Sequence, residues 1–136
     1  MDIDTLRRDA EAPMIAGQDD LAGVATDLAD AFTDDVMLNW FFRTDAKKAE
    51  AHQRFFRLIV QLAYRQGGRI ERPASGGAVA VWMPFEAVGP MSVADELRAL
   101  PVMLHATGLA RFMRLFSLRE DMDKHHPMDR RHAYLW

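Results

Sequence analysis

The sequence contains no cysteine, no long apolar run and no excess of basic residues, and each absence excludes a class of protein. Without cysteine, the chain has neither a disulfide framework nor a thiolate metal site. Its 17 Lys+Arg against 20 Asp+Glu give a formal net charge of -3, so it lacks the basic footprint of a nucleic-acid-binding domain. No apolar stretch approaches membrane-spanning length, and residues 1–9 lack the basic start of a signal peptide. We therefore expect a cytoplasmic protein that binds neither nucleic acid nor a membrane.

Common nucleotide-binding and metal-binding motifs are also missing. The sequence has no P-loop and no G-x-G-x-x-G stretch. The adjacent His125 and His126 would point in different directions on any regular element and have no third ligand nearby, so we interpret them as part of a solvated loop and predict no metal site. The length of 136 residues suits one domain, and we interpret the charged, aperiodic residues 1–12 as a flexible arm before it.

Residues 76–84 most clearly predict a buried strand, and we interpret them as the central strand of a sheet. The run has a glycine entry, small and β-branched apolar residues, a tryptophan and a closing proline. Because side chains alternate along a strand, Trp82 is predicted to be buried, with Val79 and Val81 together on the opposite face.

Three other stretches are predicted to be strands of the same sheet. Residues 13–16 suggest a short edge strand. Residues 69–72 are joined to the central strand by turn-forming residues, which favours an antiparallel hairpin. Residues 132–136 are predicted to return antiparallel beside residues 79–83. One face of that last strand would carry His132, Tyr134 and Trp136.

Apolar residues at helical spacing predict two helices between the first two strands. The first helix begins after Gly17, which is its predicted N-cap. The second helix begins at Asp45, also a predicted N-cap, and runs to about Gln66. Residues 36–42 between them are interpreted either as a helical turn under the core or as a pocket wall. His52 is interpreted as a core or boundary histidine. The apolar stripes are Leu21, Val24, Ala25, Leu28, Ala29 and Phe32 in the first helix, and Ala51, Phe55, Leu58, Ile59 and Leu62 in the second.

Two further helices are predicted between the central and last strands. One begins at Ser92 and contains Pro101, which should kink or divide it. The other begins at Gly108 and should end before a charged turn at residues 120–127. The first of these two helices would have Leu97, Leu100, Met103 and Leu104 on its apolar face, and the second would carry Leu109, Phe112, Met113 and Phe116 on one stripe.

Several segments, taken in this order, are similar to one protein family. Residues 18–35 resemble the first helix of one bacterial group and the A-F-x-D-D-P that closes it, with Val36 in place of the proline. Residues 78–84 resemble the G-A-A-L-W-L-P strand of that group, and residues 126–135 resemble its R-H-P…H-W-Y-L approach to the fourth strand. The family is the GNAT superfamily of acyl-CoA-dependent N-acyltransferases, and the similarity covers residues 13–136.

The resemblance implies an α+β (α/β) domain with two N-terminal helices, an antiparallel strand pair, a helical insertion and a fourth strand. It implies transfer of an acetyl or similar acyl group from acetyl-CoA to a small-molecule or peptide amine. The helix-helix segment and the helical insertion shape the acceptor site in this superfamily, and the resemblance assigns no catalytic residue here. The implied substrate-binding candidates are Asp34, Asp35, Trp40, Trp82 and Tyr134. Each has an alternative role in core packing or, for the aspartates, in helix termination.

The superfamily's R/Q-x-x-G-x-G/A loop does not occur in the sequence. In relatives its backbone N–H groups and helix N-terminus bind the pyrophosphate of acetyl-CoA. We therefore interpret the chain as the N-terminal, acceptor-side part of the domain, with an incomplete fourth strand, no cofactor-binding residue and no activity alone. The unpaired edge of that strand predicts a homodimer. The alternative is a non-enzymatic helical binding module derived from a degenerate acyltransferase, with nine methionines providing an adaptable apolar surface.

Overall fold

The computed structural model describes residues 2–87, 89, 91–127 and 129–135. These residues form an α+β fold, as the sequence predicted. Short 3₁₀ turns cover Gln18–Asp20 and Phe85–Ala87. In chain order the elements are α1 (Ile3–Glu11), β1 (Met14–Ile15), α2 (Leu21–Ala31), α3 (Val36–Phe41), α4 (Lys48–Arg65), β2 (Arg69–Arg72), β3 (Ala80–Met83), α5 (Val93–Thr107), α6 (Phe112–His125) and β4 (Tyr134–Leu135).

The strands form one antiparallel sheet in the order β1-β2-β3-β4. β2 and β3 make the predicted hairpin, in which Ile70 lies opposite Val81. β1 pairs with the other side of β2, and β4 returns antiparallel to β3 with Tyr134 opposite Met83. The predicted edge strand, hairpin and return strand are therefore confirmed, although the inner strand β3 is shorter than the predicted run.

The inner face of the sheet carries the core, and Trp82 lies on the other face. Ile70, Val81 and Met83 are buried against the helices. Trp82 is 37% exposed, and its indole Nε1–H donates to the Glu71 carboxylate at 3.1 Å. The prediction that Trp82 is buried is wrong, because the helices pack on the Val81 side and Glu71 satisfies the indole at the surface.

The core fills the space between the inner face of the sheet and helices α2 and α4. The predicted stripe of α2 is confirmed, with Leu21, Val24, Ala25 and Ala29 buried. On α4 the buried face is rotated from the predicted stripe, because Leu58 and Ile59 are only partly buried. The buried residues of α4 are Ala51, His52, Phe56, Val60, Leu62 and Ala63.

The segment after α2 packs under the core as a helical turn, which is one of the two predicted alternatives. Asp35 caps α3 by accepting from the Leu38 backbone N–H at 2.7 Å. Phe42, which follows α3, is fully buried, and its ring centroid lies 4.4 Å from that of His52 and 4.9 Å from that of Phe55. Burial lowers the pKa of His52, so this histidine is a neutral member of the aromatic core, as predicted.

Residues 3–11 form the helix α1, a regular element that was not predicted in the segment interpreted as a flexible arm over 1–12. The charges that make the sequence look irregular are compatible with a helix. Asp4 lies in the first turn and Arg8 in the last, where each complements the helix dipole. Arg7 and Asp4 also pair at i, i+3 spacing.

The helical insertion agrees with its prediction only in part. α5 continues through Pro101 as one helix, so the proline does not divide it. α6 continues to His125 through the residues predicted as a charged turn. The charges there repeat at i, i+4, as the Glu120–Lys124 contact of 2.7 Å illustrates, and this pattern stabilises a helix.

Candidate functional site: an apolar groove under the helical insertion

A groove of about 1000 Å³ lies between α4, the α5–α6 pair and the β3–β4 end of the sheet. A volume of this size can hold a substantial organic ligand. Most of its surface is apolar. The apolar side chains include Ile59 and Leu62 of α4, Met83 of β3, Leu97, Leu100 and Met103 of α5, and Phe112, Leu115, Phe116 and Met122 of α6.

The groove has a polar end and an apolar end because α5 and α6 run antiparallel. Glu96, in the first turn of α5, contacts Arg119 in the second half of α6 at 3.1 Å. Gly108 makes the turn between the helices with a φ of 65°, a conformation that glycine adopts without strain. The start of α5 and the end of α6 therefore form the polar end. The apolar end, near the turn, is lined by Met103 and Phe112.

The apolar faces of α5 and α6 line this groove and are not covered by the core. Leu97 is 66% exposed and Leu100 is 41% exposed, so the predicted apolar face of α5 is open to the groove. α6 has no buried residue among those described, and Met113 is 71% exposed. The helical pattern in the sequence is correct. What it cannot show is that α5 packs mainly on α4 and only slightly on α6, which leaves these apolar faces beside an open groove.

Two arginines fasten α6 to α3. Arg111 donates from Nη1 to the carbonyls of Asn39 at 3.0 Å and Phe42 at 2.6 Å. Arg114 donates to the Trp40 carbonyl at 2.8 Å, and its guanidinium lies 5.5 Å from the Trp40 ring centroid. The last carbonyls of a helix have no intrahelical partner, so these cations satisfy the end of α3 and fix one wall of the groove.

Replacing Arg111 by alanine is expected to lower the free energy of unfolding by about 1.5–3 kcal/mol, because hydrogen bonds to charged groups have this strength. Arg54→Ala is the control, since Arg54 makes only an exposed pair with Glu50 at 3.6 Å among the described residues. That change should cost about 0.5 kcal/mol or less. Urea denaturation measures both. Equal losses in the two variants would contradict the role assigned to Arg111.

His126 and His132 lie beside Tyr134 at the polar end of the groove. The centroid of the His126 ring is 5.2 Å from those of His132 and Tyr134. The Nδ1 atom of His132 lies 2.8 Å from the Arg130 carbonyl, to which it donates. In the described part of the chain, the Nε2 atoms of both histidines are buried without a hydrogen-bond partner. His126 and Tyr134 line the groove.

The solvated-loop interpretation is therefore wrong for His126, which is partly buried, whereas His125 is exposed at the end of α6. The return of β4 beside β3 brings residues 126–134 back against the groove. The sequence signal was the spacing of His126, His132 and Tyr134 around a predicted strand start, but only the path of the chain shows that the rings meet.

The five predicted substrate-binding residues are not brought together. Tyr134 lines the groove. Asp34 is exposed in the turn after α2, and Asp35 caps α3. Trp40 lies under Arg114, and Trp82 is on the outer face of the sheet. Helix termination accounts for Asp35, whereas substrate binding by the five residues stays a prediction.

Charged side chains line the groove mainly at its polar end, and three of them share one contact network. Arg119 contacts Glu96 through Nη2 at 3.1 Å and Asp123 through Nε at 3.9 Å. One guanidinium thus faces two carboxylates, which gives this trio a formal charge of -1. Nearby, Ser92 caps α5, and its hydroxyl is the main cause that lowers the pKa of Asp95.

Within the described residues, no group of three or more His, Asp or Glu side chains could hold a metal ion. No helix in the same residues is long and apolar enough to cross a membrane. No protein-family model matches the sequence, and no curated protein is significantly similar to it.

Proposed function

We propose that this chain is the acceptor-side part of a GNAT-type N-acyltransferase, which transfers an acetyl or similar acyl group from acetyl-CoA to an amine. The observation that carries the proposal is the path of β4, which returns antiparallel beside β3 after a helical insertion. This path, with helices between β1 and β2, matches the layout that the sequence resemblance implies.

The groove is the proposed acceptor site. An amine acceptor must lose a proton before it can attack an acyl group. His126 lines the groove, and its Nε2 is buried without a hydrogen-bond partner among the described residues, so its imidazole is the proposed acceptor of that proton. Tyr134 lies beside it and is the proposed substrate contact.

The residues of this chain do not fit the phosphates of acetyl-CoA. The Glu96–Arg119–Asp123 trio has a formal charge of -1, and the sequence has no R/Q-x-x-G-x-G/A loop. We therefore assign no step of the reaction on acetyl-CoA to a residue of this chain.

Acetyl-CoA is expected to bind the 136-residue chain more weakly than about 100 μM, which corresponds to about 5.5 kcal/mol of affinity. The physical reason is that the sequence lacks the loop whose backbone N–H groups would bind the pyrophosphate. Isothermal titration calorimetry measures this directly. Saturable binding tighter than that limit would show that the cofactor site has been placed wrongly.

Binding of short primary amines tests the proposed function. Butylamine is expected to shift backbone NMR signals of the groove residues, including those of Tyr134, whereas butan-1-ol at the same concentration should shift them less. His126→Gln keeps a polar side chain but removes the imidazole, so it should weaken the response to the amine. No response to butylamine anywhere in the groove would count against the proposed function.

The edge formed by β4 is the proposed homodimer contact. Within the described residues β4 pairs with β3 alone, and Leu135 is 53% exposed. Free strand edges promote association. Sedimentation velocity should show a dimer that Leu135→Lys dissociates, whereas Ile15→Lys on the opposite edge, where Ile15 is 60% exposed, should not. A monomeric wild-type chain would contradict this contact.

A non-enzymatic binding module is the second candidate function, and the methionine-rich lining of the groove favours it. Four methionines line the groove, and methionine adapts to apolar partners of different shape. They are Met83, Met91, Met103 and Met122. A module of this kind would bind amines and alcohols of equal length with equal affinity.

A further inference from the structure

We infer that the acceptor is a primary amine with a long apolar body, whose ammonium group lies at the Glu96–Asp123 end of the groove. The inference rests on the proposed function and narrows its substrate class. Three features of the groove carry it: its length along α5, its charge at one end and the position of the unpartnered imidazole.

The apolar part of the groove runs along several turns of helix. On α5 it extends from Leu97 through Leu100 to Met103, and on α6 from Phe112 to Met122. Ile59 and Leu62 of α4 lie beneath. A short amine would leave most of this surface in water, whereas an extended alkyl chain would cover it and gain affinity with each buried methylene.

The charge of the polar end favours a cation. Arg119 contacts Glu96 at 3.1 Å and Asp123 only at 3.9 Å, so the second carboxylate is the less firmly paired of the two. An ammonium group beside these carboxylates would balance the formal charge of the trio, whereas a carboxylate or phosphate would add a further negative charge. Electrostatic complementarity therefore selects amines over fatty acids of the same length.

The same end of the groove contains the proton acceptor. Asp123 is followed closely along the chain by His126, and both line the groove. The Nε2 atom of His126 has no hydrogen-bond partner among the described residues. The carboxylates would hold the ammonium group, and the imidazole would accept one of its protons, leaving the neutral amine.

Titration calorimetry with four ligands, each kept below its micelle concentration, tests the inference. Decylamine should bind at least about tenfold tighter than butylamine, because its additional methylenes are buried. It should also bind about tenfold tighter than decan-1-ol or decanoate, a ratio that a single well-placed charge interaction can produce.

Matched variants locate the ammonium group. Glu96→Gln and Asp123→Asn should each weaken decylamine binding roughly two- to fivefold, as expected for a partly exposed charge pair, and leave decan-1-ol binding unchanged. Glu120→Gln is the control, because Glu120 lies on the same helix and contacts Lys124 at 2.7 Å. Thermal unfolding of each variant shows that it is folded.

The outcomes separate this inference from the proposed function. Equal affinities for butylamine and decylamine would support an amine site but contradict the inference that the acceptor has a long apolar body. Equal binding of decylamine and decan-1-ol would overturn the ammonium site and support the binding module. No binding of either amine would count against the proposed function itself.

Discussion

Replacing Phe42 by alanine is expected to lower the free energy of unfolding by about 3–5 kcal/mol, the range for removal of a buried aromatic ring. Phe42 is fully buried, and its ring packs edge-on against Phe55 and His52. It also accepts the Arg111 hydrogen bond through its carbonyl, so it joins the core to the wall of the groove. Chemical denaturation of the wild type and the variant measures the difference.

Trp82→Ala is the matched control for this prediction. Trp82 is also a large aromatic residue, and the sequence alone would select it as the core residue. Because its side chain is 37% exposed on the outer face of the sheet, its removal should cost about 1–2 kcal/mol or less. A greater loss for Trp82→Ala than for Phe42→Ala would contradict the assignment of the core to the inner face.

Replacing Asp27 by alanine is expected to lower the free energy of unfolding by roughly 2–4 kcal/mol, because it leaves Arg72 buried without its charge partner. Asp27 of α2 accepts from Nη2 of Arg72 at 2.8 Å, and both side chains are 17% exposed. The guanidinium lies so close to Gly23 and Gly76 that a Cβ at either glycine would approach it within 3.0 Å. The pair therefore holds α2 against the end of β2.

Asp30→Ala provides the control for the Asp27 prediction, since Asp30 is an exposed acid on the same helix. Asp27→Asn keeps a hydrogen-bond acceptor without the charge and should be intermediate. Equal stability of the Asp27→Ala and Asp30→Ala variants would contradict a structural role for the pair.

The parts of the fold that local patterns determine were predicted well. The spacing of apolar residues gave the buried face of α2, and turn residues between β2 and β3 gave the hairpin. The return of β4 beside β3 also followed from the sequence. In each case the pattern repeats over a few residues and one physical cause dominates, namely burial of one face or the geometry of a turn.

The errors arose where burial depends on what packs across a surface. The alternation of β3 was right, but the side covered by helices could not be read from the strand, so Trp82 was placed in the core. Leu97 and Leu100 were correctly placed on one face of α5, yet nothing local indicates that this face borders an open groove. α1 was missed because it is short and its apolar positions, Ile3, Leu6 and Ala10, are few among charged residues.

The residues of the candidate site were harder to predict than the fold, because they come from distant parts of the sequence. Tyr134 was identified through the family resemblance and lines the groove. His126 was set aside because adjacent histidines point in different directions on a regular element and no third metal ligand is nearby in the sequence. Its place in the groove depends on β4 pairing with β3, a contact between residues far apart in the sequence. Sequence patterns predict neighbours along one element, whereas a site combines side chains from several.

Amine-dependent release of coenzyme A tests the central claim most directly. The cofactor-binding half of a GNAT acyltransferase, including its R/Q-x-x-G-x-G/A loop, would be fused after this chain, and acetyl-CoA binding would show that the added half is folded. Thiol release should then rise when an amine that binds the groove is added, and His126→Gln should reduce the rise. A fusion that binds both acetyl-CoA and the amine but releases no more coenzyme A than the added half alone would contradict the claim.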